Sequence, residues 1–208
     1  MKFLSKSYLV LLAISVSLQV KAQSNFEKQG TQAWMKGDFK TAVVQLEKAE
    51  TKDPSNANVL KMLGYSYFQN GDYENAIAAY TRLIAQKPAD YSAYYYRGKA
   101  RLNIANAPKE SLNQMRDSFY STAIKDFSKA MEISGEEDIQ ILQNRGVAYK
   151  DYGIFKSYKA KKSVDKNACI ALFNNSIADF QKILTMQPLR KDIMSLIDYV
   201  KAQSASMK

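Results

Sequence analysis

Seven of the eight glycines fall on a repeating grid, and that grid constrains the fold more than any other feature. Gly30 and Gly37, Gly64 and Gly71, and Gly146 and Gly153 are pairs seven residues apart, with Gly98 standing alone before the last pair. The first two pairs are offset by 34 residues, as are Pro54 and Pro88, and Pro188 matches in the last unit. A fixed period of this size signals a solenoid, in which each unit buries its apolar side on its neighbours. Aligned on the glycines, 23–56 and 57–90 match without a gap: Phe26 with Leu60, Gln29 with Leu63, Ala42 with Ala76, Leu46 with Tyr80 and Ala49 with Leu83. Each unit reads as two helices. Gly37-Asp38-Phe39 or Gly71-Asp72-Tyr73 makes the turn between them, the glycine being free to take positive φ and the aspartate serving as N-cap of the next helix.

Leu60, Leu63-Gly64, Tyr67, Gly71-Asp72-Tyr73, Ala76, Tyr80 and Pro88 resemble the tetratricopeptide repeat (TPR) family. The resemblance implies an all-α solenoid of antiparallel helix pairs with four repeats, 23–56, 57–90, 91–138 and 139–190, closed by a capping helix and tail over 191–208. Gly64 and Ala76 are small because the paired helices approach most closely there, while Leu60, Leu63, Tyr67, Tyr73 and Tyr80 fill the seam. The cap has its own stripe of Ile193, Met194, Ile197 and Val200, which covers the core that a solenoid's end unit otherwise exposes.

The last two repeats depart from the family by insertion. The third has Tyr94, Gly98 and Arg101 in register, but Tyr120, Ala123, Phe127 and Ala130 come 13 residues late. The fourth has Leu142, Gly146 and Tyr149, then Phe173, Ser176, Phe180 and Ile183, 18 residues late. Both hairpins are expected to be lengthened at the same edge. Leu112, Met115 and Phe119, and Cys169, Leu172 and Phe173, extend the apolar stripes upstream at helical spacing, and Pro108 with Glu110 reads as a helix opening. The segment 151–166 is weakly periodic and reads as loop.

Residues 1–22 read as an export signal: Lys2 and Lys6 are basic, Tyr8 to Val20 is apolar but too short for a bilayer, and Ala22 ends a small-residue cleavage pattern. The protein is expected in the periplasm if its source is bacterial and otherwise secreted. The chain has no histidine and one cysteine. That excludes Ser-His-Asp and Cys-His nucleophiles, His-ligated zinc, Cys-only metal sites and an intramolecular disulfide. Neither enzymatic activity nor a cofactor or metal is expected. The net charge of +10 favours acidic partners or anionic surfaces, though an exported protein rarely meets nucleic acid.

In the TPR family the first helices of successive repeats line a concave groove that holds a partner's segment. Carried over by register, the groove residues are Trp34 in repeat one, Asn58, Lys61, Tyr65 and Phe68 in repeat two, Tyr95, Tyr96 and Lys99 in repeat three, and Gln140, Gln143 and Asn144 in repeat four. Aromatic and amide groups dominate, which suits a protein or peptide partner, since Tyr and Trp give contact area at small entropic cost. Some family members grip a terminal carboxylate with lysine, arginine and asparagine. Here Lys61 matches that clamp, but Tyr65, Tyr96, Gln140 and Asn144 do not, so an acidic C-terminal tail is not the expected ligand. The insert carries Lys156, Lys159, Lys161, Lys162 and Lys166, for which an anionic membrane or polyanion surface is the alternative partner and a solvated hairpin tip the plainer reading. Cys169 is expected to be buried and inert. Asp117, Asp126, Asp179, Glu136 and Glu137 show no pairing beyond placement on helix surfaces, and the pattern sets no oligomeric state.

Overall fold

The computed structural model describes residues 25–109, 112, 114–135, 138–160 and 162–207. The expected export signal of 1–22 lies outside the described residues, as do Glu110, Glu136, Glu137 and Lys161. Among the described residues all regular structure is helical. Helix α1 covers 25–35, and α2 (Phe39–Lys52), α3 (Ala57–Gln69), α4 (Tyr73–Gln86), α5 (Tyr91–Asn106), α6 (Arg116–Ser134), α7 (Ile139–Ser157), α8 (Ser163–Met186) and α9 (Lys191–Ala205) follow. The chain divides into two compact units between Lys87 and Pro88, near the end of the expected second repeat.

In the first unit the turn chemistry is as the sequence predicts. Gly37 and Gly71 sit at φ 76° and 77°. Asp38 accepts from Thr41 N at 3.1 Å and Asp72 from Asn75 N at 3.3 Å, opening α2 and α4. Ala42, Leu46, Ala49, Val59 and Leu63 form the core of the first repeat and its junction with the second. A Cβ on Gly64 would lie 3.0 Å from the Tyr80 ring, so α3 and α4 do meet at their small residues.

In the second unit α5 to α9 pack in succession, α5 also touching α7, around Phe127, Ile141, Leu142, Phe173, Phe180 and Ile183. Ile193, Ile197 and Val200 of α9 close that core, with Met194 on the exposed side. The seam repeats: Gly98 faces Phe127 and Gly146 faces Phe180.

The inserts differ from their expected form in three ways. First, α6 opens at Arg116 rather than near Pro108. The Arg116 guanidinium donates to Ala105 O and Ala107 O at 2.6 Å and to Lys109 O at 3.2 Å, so the loop is held against the α5 C-terminus by carbonyls that a longer α6 would leave unsatisfied. Second, 151–157 is helix, with α7 running unbroken to Ser157. Its periodicity is weak because it is packed on two sides: Tyr152 stacks on Tyr120 of α6 at 5.4 Å, while Gly153 meets Phe173 of α8. Third, Gly153 is consequently a contact point in a helix interior and not a turn glycine.

The carboxylates also depart from expectation. Asp126 and Asp179 are buried rather than on the surface, at 3% and 5% exposure. Arg97 holds Asp126 with two bonds, Nε to Oδ2 at 3.0 Å and Nη2 to Oδ1 at 2.7 Å, and Arg101 Nη1 adds a third at 2.6 Å. Arg145 holds Asp179 in the same two-pronged way, at 2.8 and 2.6 Å. Cys169 is buried, and burial pushes its thiol up. The hydroxyl of Ser176, in the sequon at 174–176, is buried and donates to Gly146 O at 2.8 Å.

Candidate partner-binding faces

On the first unit, the face of α1 and α3 is organised around Tyr65. Its ring meets Trp34 edge-on at 5.9 Å and Phe39 edge-on at 5.5 Å, and its hydroxyl accepts from Gln69 Nε2 at 3.2 Å. Phe68 packs beside Tyr73 at 5.6 Å. Trp34, Tyr65 and Phe68 are half-buried, whereas Asn58 and Lys61 are exposed. Edge-to-face contacts of this kind fix ring orientation and contribute about 0.5–1.5 kcal/mol each. Phe39 belongs to the second helix of its repeat and had no place in the sequence-derived set; its position beside the Gly37 turn was the available signal.

On the second unit the corresponding face is built by α5 and α7, and its residues separate by depth. Tyr95 is 8% exposed and packs edge-on against Phe127 at 6.1 Å, so most of its ring belongs to the core. Asn144 Nδ2 donates to its hydroxyl at 3.1 Å. Burial, reinforced by the charges of Tyr96 and Asp138, pushes the Tyr95 phenol up to about 12. Tyr96 remains half-buried and meets Tyr95 edge-on at 5.1 Å. Lys99 Nζ lies 5.4 Å and 5.7 Å from the centres of these two rings, and burial lowers its pKa. Tyr91, Ser92, Tyr96, Asp138 and Gln140 line a hollow of about 120 Å³ beside Tyr95. Gln143 turns away from it, its Oε1 accepting from Arg190 Nη2 at 3.2 Å at the entrance to α9. The face therefore offers Tyr96, Gln140 and the edge of Tyr95, while Asn144 positions that ring.

The described lysines of the insert are partly committed. Lys156 Nζ donates to Asp117 Oδ1 at 2.8 Å and lies 5.0 Å from the centre of the Tyr152 ring, and Lys159 Nζ lies 5.0 Å from that of Phe155. Lys162 is exposed and Lys166 half-buried.

Residues 33–102 match the family model described as tetratricopeptide repeat. The chain is 22% identical over 155 residues to the peptidyl-prolyl cis-trans isomerase FKBP4 of Mus musculus, covering 74% of this chain and 30% of that protein. It is 31% identical over 74 residues to the heat shock protein STI1 of Saccharomyces cerevisiae, covering 34% of this chain and 13% of that one. It thus spans less than a third of these curated relatives. Among solved structures, MamA 41-end from Desulfovibrio magneticus RS-1 is similar with a TM-score of 0.65 at 14% identity, over 89% of each chain, a likeness of fold. Residues 33–102 are thus similar to the tetratricopeptide repeat, and the fold over 89% of the chain is like that of MamA. Repeats of this kind are generally non-enzymatic scaffolds on which other proteins assemble.

Proposed function

We propose that this protein is an exported adaptor that binds a protein or peptide through the faces formed by the first helices of its repeats, α1 and α3 in one unit and α5 and α7 in the other. The observation that carries the reading is the set of half-exposed aromatic rings held in fixed orientation by their neighbours: Tyr65 between Trp34 and Phe39, and Tyr96 against Tyr95. Rings ordered before binding lose little entropy when a partner covers them, and the adjacent Asn58 and Gln140 supply amides for a partner's backbone. Export rests on the pattern of residues 1–22; N-terminal sequencing of the protein from its host should begin at Gln23, and retention of Met1 would overturn it.

The test is recovery of a partner from an extract of exported proteins on the immobilised chain. Tyr65→Ala with Tyr96→Ala should lose the partner while the helical circular dichroism spectrum is kept. Lys61→Glu with Gln140→Ala, at exposed positions, should weaken recovery while the helical spectrum is kept. Undiminished recovery by both double variants would refute this site.

A further inference from the structure

We infer that the enlarged hairpin edge of the second unit is a second docking site, which takes an acidic peptide segment bearing one aromatic or large apolar anchor side chain. This site is separate from the repeat faces and is built from the two inserts. Between the start of α6 and the α7–α8 turn lies a hollow of about 330 Å³, walled by Gln114, Asp117, Phe155, Lys156, Lys159 and Asp165. Phe155 also walls a second hollow of about 320 Å³, with Arg116, Tyr120 and Tyr158. By volume each reaches the lower end of the range for ligand pockets, roughly 300 Å³, though both are open to solvent and the second more so. Tyr120 lies 5.6 Å from Phe155 and stacks on Tyr152, so the wall between the hollows is a fixed aromatic ridge.

Three further observations select the occupant. Met115, Tyr158 and Val164 stand around this edge with 49%, 84% and 77% of their surface exposed. Large apolar side chains gathered at a concavity mark an interaction site where scattered ones would not. The first hollow itself balances Lys156 and Lys159 against Asp117 and Asp165, and the excess of positive charge lies in the surrounding sequence, where 155–168 contains five lysines and one aspartate. An acidic segment therefore gains on approach and at the rim. Concavity favours a peptide over a lipid surface. Lys156 and Lys159 are drawn onto Asp117 and Phe155 at the hollow's wall, whereas a membrane-binding array projects its lysines outward together.

Selection of a random displayed peptide library on the full-length chain tests this. The expected result is enrichment of sequences with aspartate or glutamate flanking one aromatic or leucine residue. Their binding should weaken about tenfold or more in Tyr158→Ala and in Lys159→Glu, both exposed positions where the fold is kept, and stay unchanged in Lys61→Glu. Four results would overturn the inference: no enrichment; enrichment of neutral or basic sequences; acidic peptides indifferent to the Tyr158 and Lys159 variants; or acidic peptides lost only in Lys61→Glu, which places them on the first unit's face. Phosphatidylglycerol vesicles that sediment the chain in a Lys159-dependent manner, with no acidic peptide enriched, would assign the edge to a lipid surface instead.

Discussion

Gly153 stands against Phe173 as Gly146 stands against Phe180, seven residues further along α7 and seven earlier along α8. The fourth repeat therefore spends much of its insertion on prolonging the same antiparallel seam. A Cβ on Gly153 would lie 2.6 Å from the Phe173 ring, which is fully buried and has nowhere to move. Gly153→Ala should accordingly destabilise by about 1–3 kcal/mol from overpacking, outweighing a helix-propensity gain of about 1 kcal/mol. Urea unfolding measures this. Adding Phe173→Leu should restore part of the loss; a single variant as stable as the parent would refute the close contact.

The buried ion pairs give a second expectation. Asp126→Ala strands Arg97 and Arg101 beside an empty acceptor and should cost about 3–5 kcal/mol. Replacing Arg145 and Asp179 together by methionine and leucine should be close to neutral, because the equivalent positions in repeat two, Leu63 and Ala79, are apolar. Denaturant midpoints for the single and double variants decide it. A double variant as damaged as either single one would contradict it.

Asp117 and Lys156 set a pH window. The hydrogen bond from Lys156 holds the Asp117 carboxyl below the usual range, and the same bond raises Lys156. A lowered carboxylate contributes stability above its unfolded value, near pH 4, and loses it as pH falls through the folded value. A raised lysine contributes stability below its unfolded value, near pH 10, and loses it as pH rises through the folded one. The pair thus helps most between about pH 4 and pH 10. Carbon NMR should show Asp117 titrating below the ordinary aspartate range and returning to it in Lys156→Met. No change between the two proteins would rule out the pair.

Tyr95 should behave as packing that positions a face. Tyr95→Phe removes only the bond from Asn144 and should cost about 0.5–1.5 kcal/mol, whereas Tyr95→Ala should cost about 3–5 kcal/mol. Thermal unfolding separates the two. Equal effects would mean that the hydroxyl, rather than the ring, is what the core requires.

The turns were legible because their chemistry is local: Gly37 with Asp38, and Gly71 with Asp72, each need only a left-handed residue followed by a cap. Gly153 has the same seven-residue spacing from Gly146, yet the feature that fixes its role, the opposing Phe173, is twenty residues away. The 151–157 helix was hidden by contacts on two sides, which erase a single stripe. Burial of Asp126 and Asp179 left a readable trace: Arg precedes the seam glycine and Asp precedes the seam aromatic in both late repeats, as Arg97-Gly98 with Asp126-Phe127 and Arg145-Gly146 with Asp179-Phe180. Tyr65 and Tyr96, which repeat register assigns to the first-helix faces, are half-buried. The depth of Tyr95 and the turn of Gln143 depend on Asn144 and Arg190, contacts between helices that no linear pattern orders.

The most direct test places a photo-crosslinking amino acid in the native host at Lys61 and Gln140 on the first-helix faces, and at Lys40 and Lys125 on the second helices. Discrete partner adducts should form at Lys61 and Gln140 and be absent at Lys40 and Lys125. Adducts confined to the second-helix positions, or none at the faces, would contradict the assignment of this protein as an adaptor that works through its first helices.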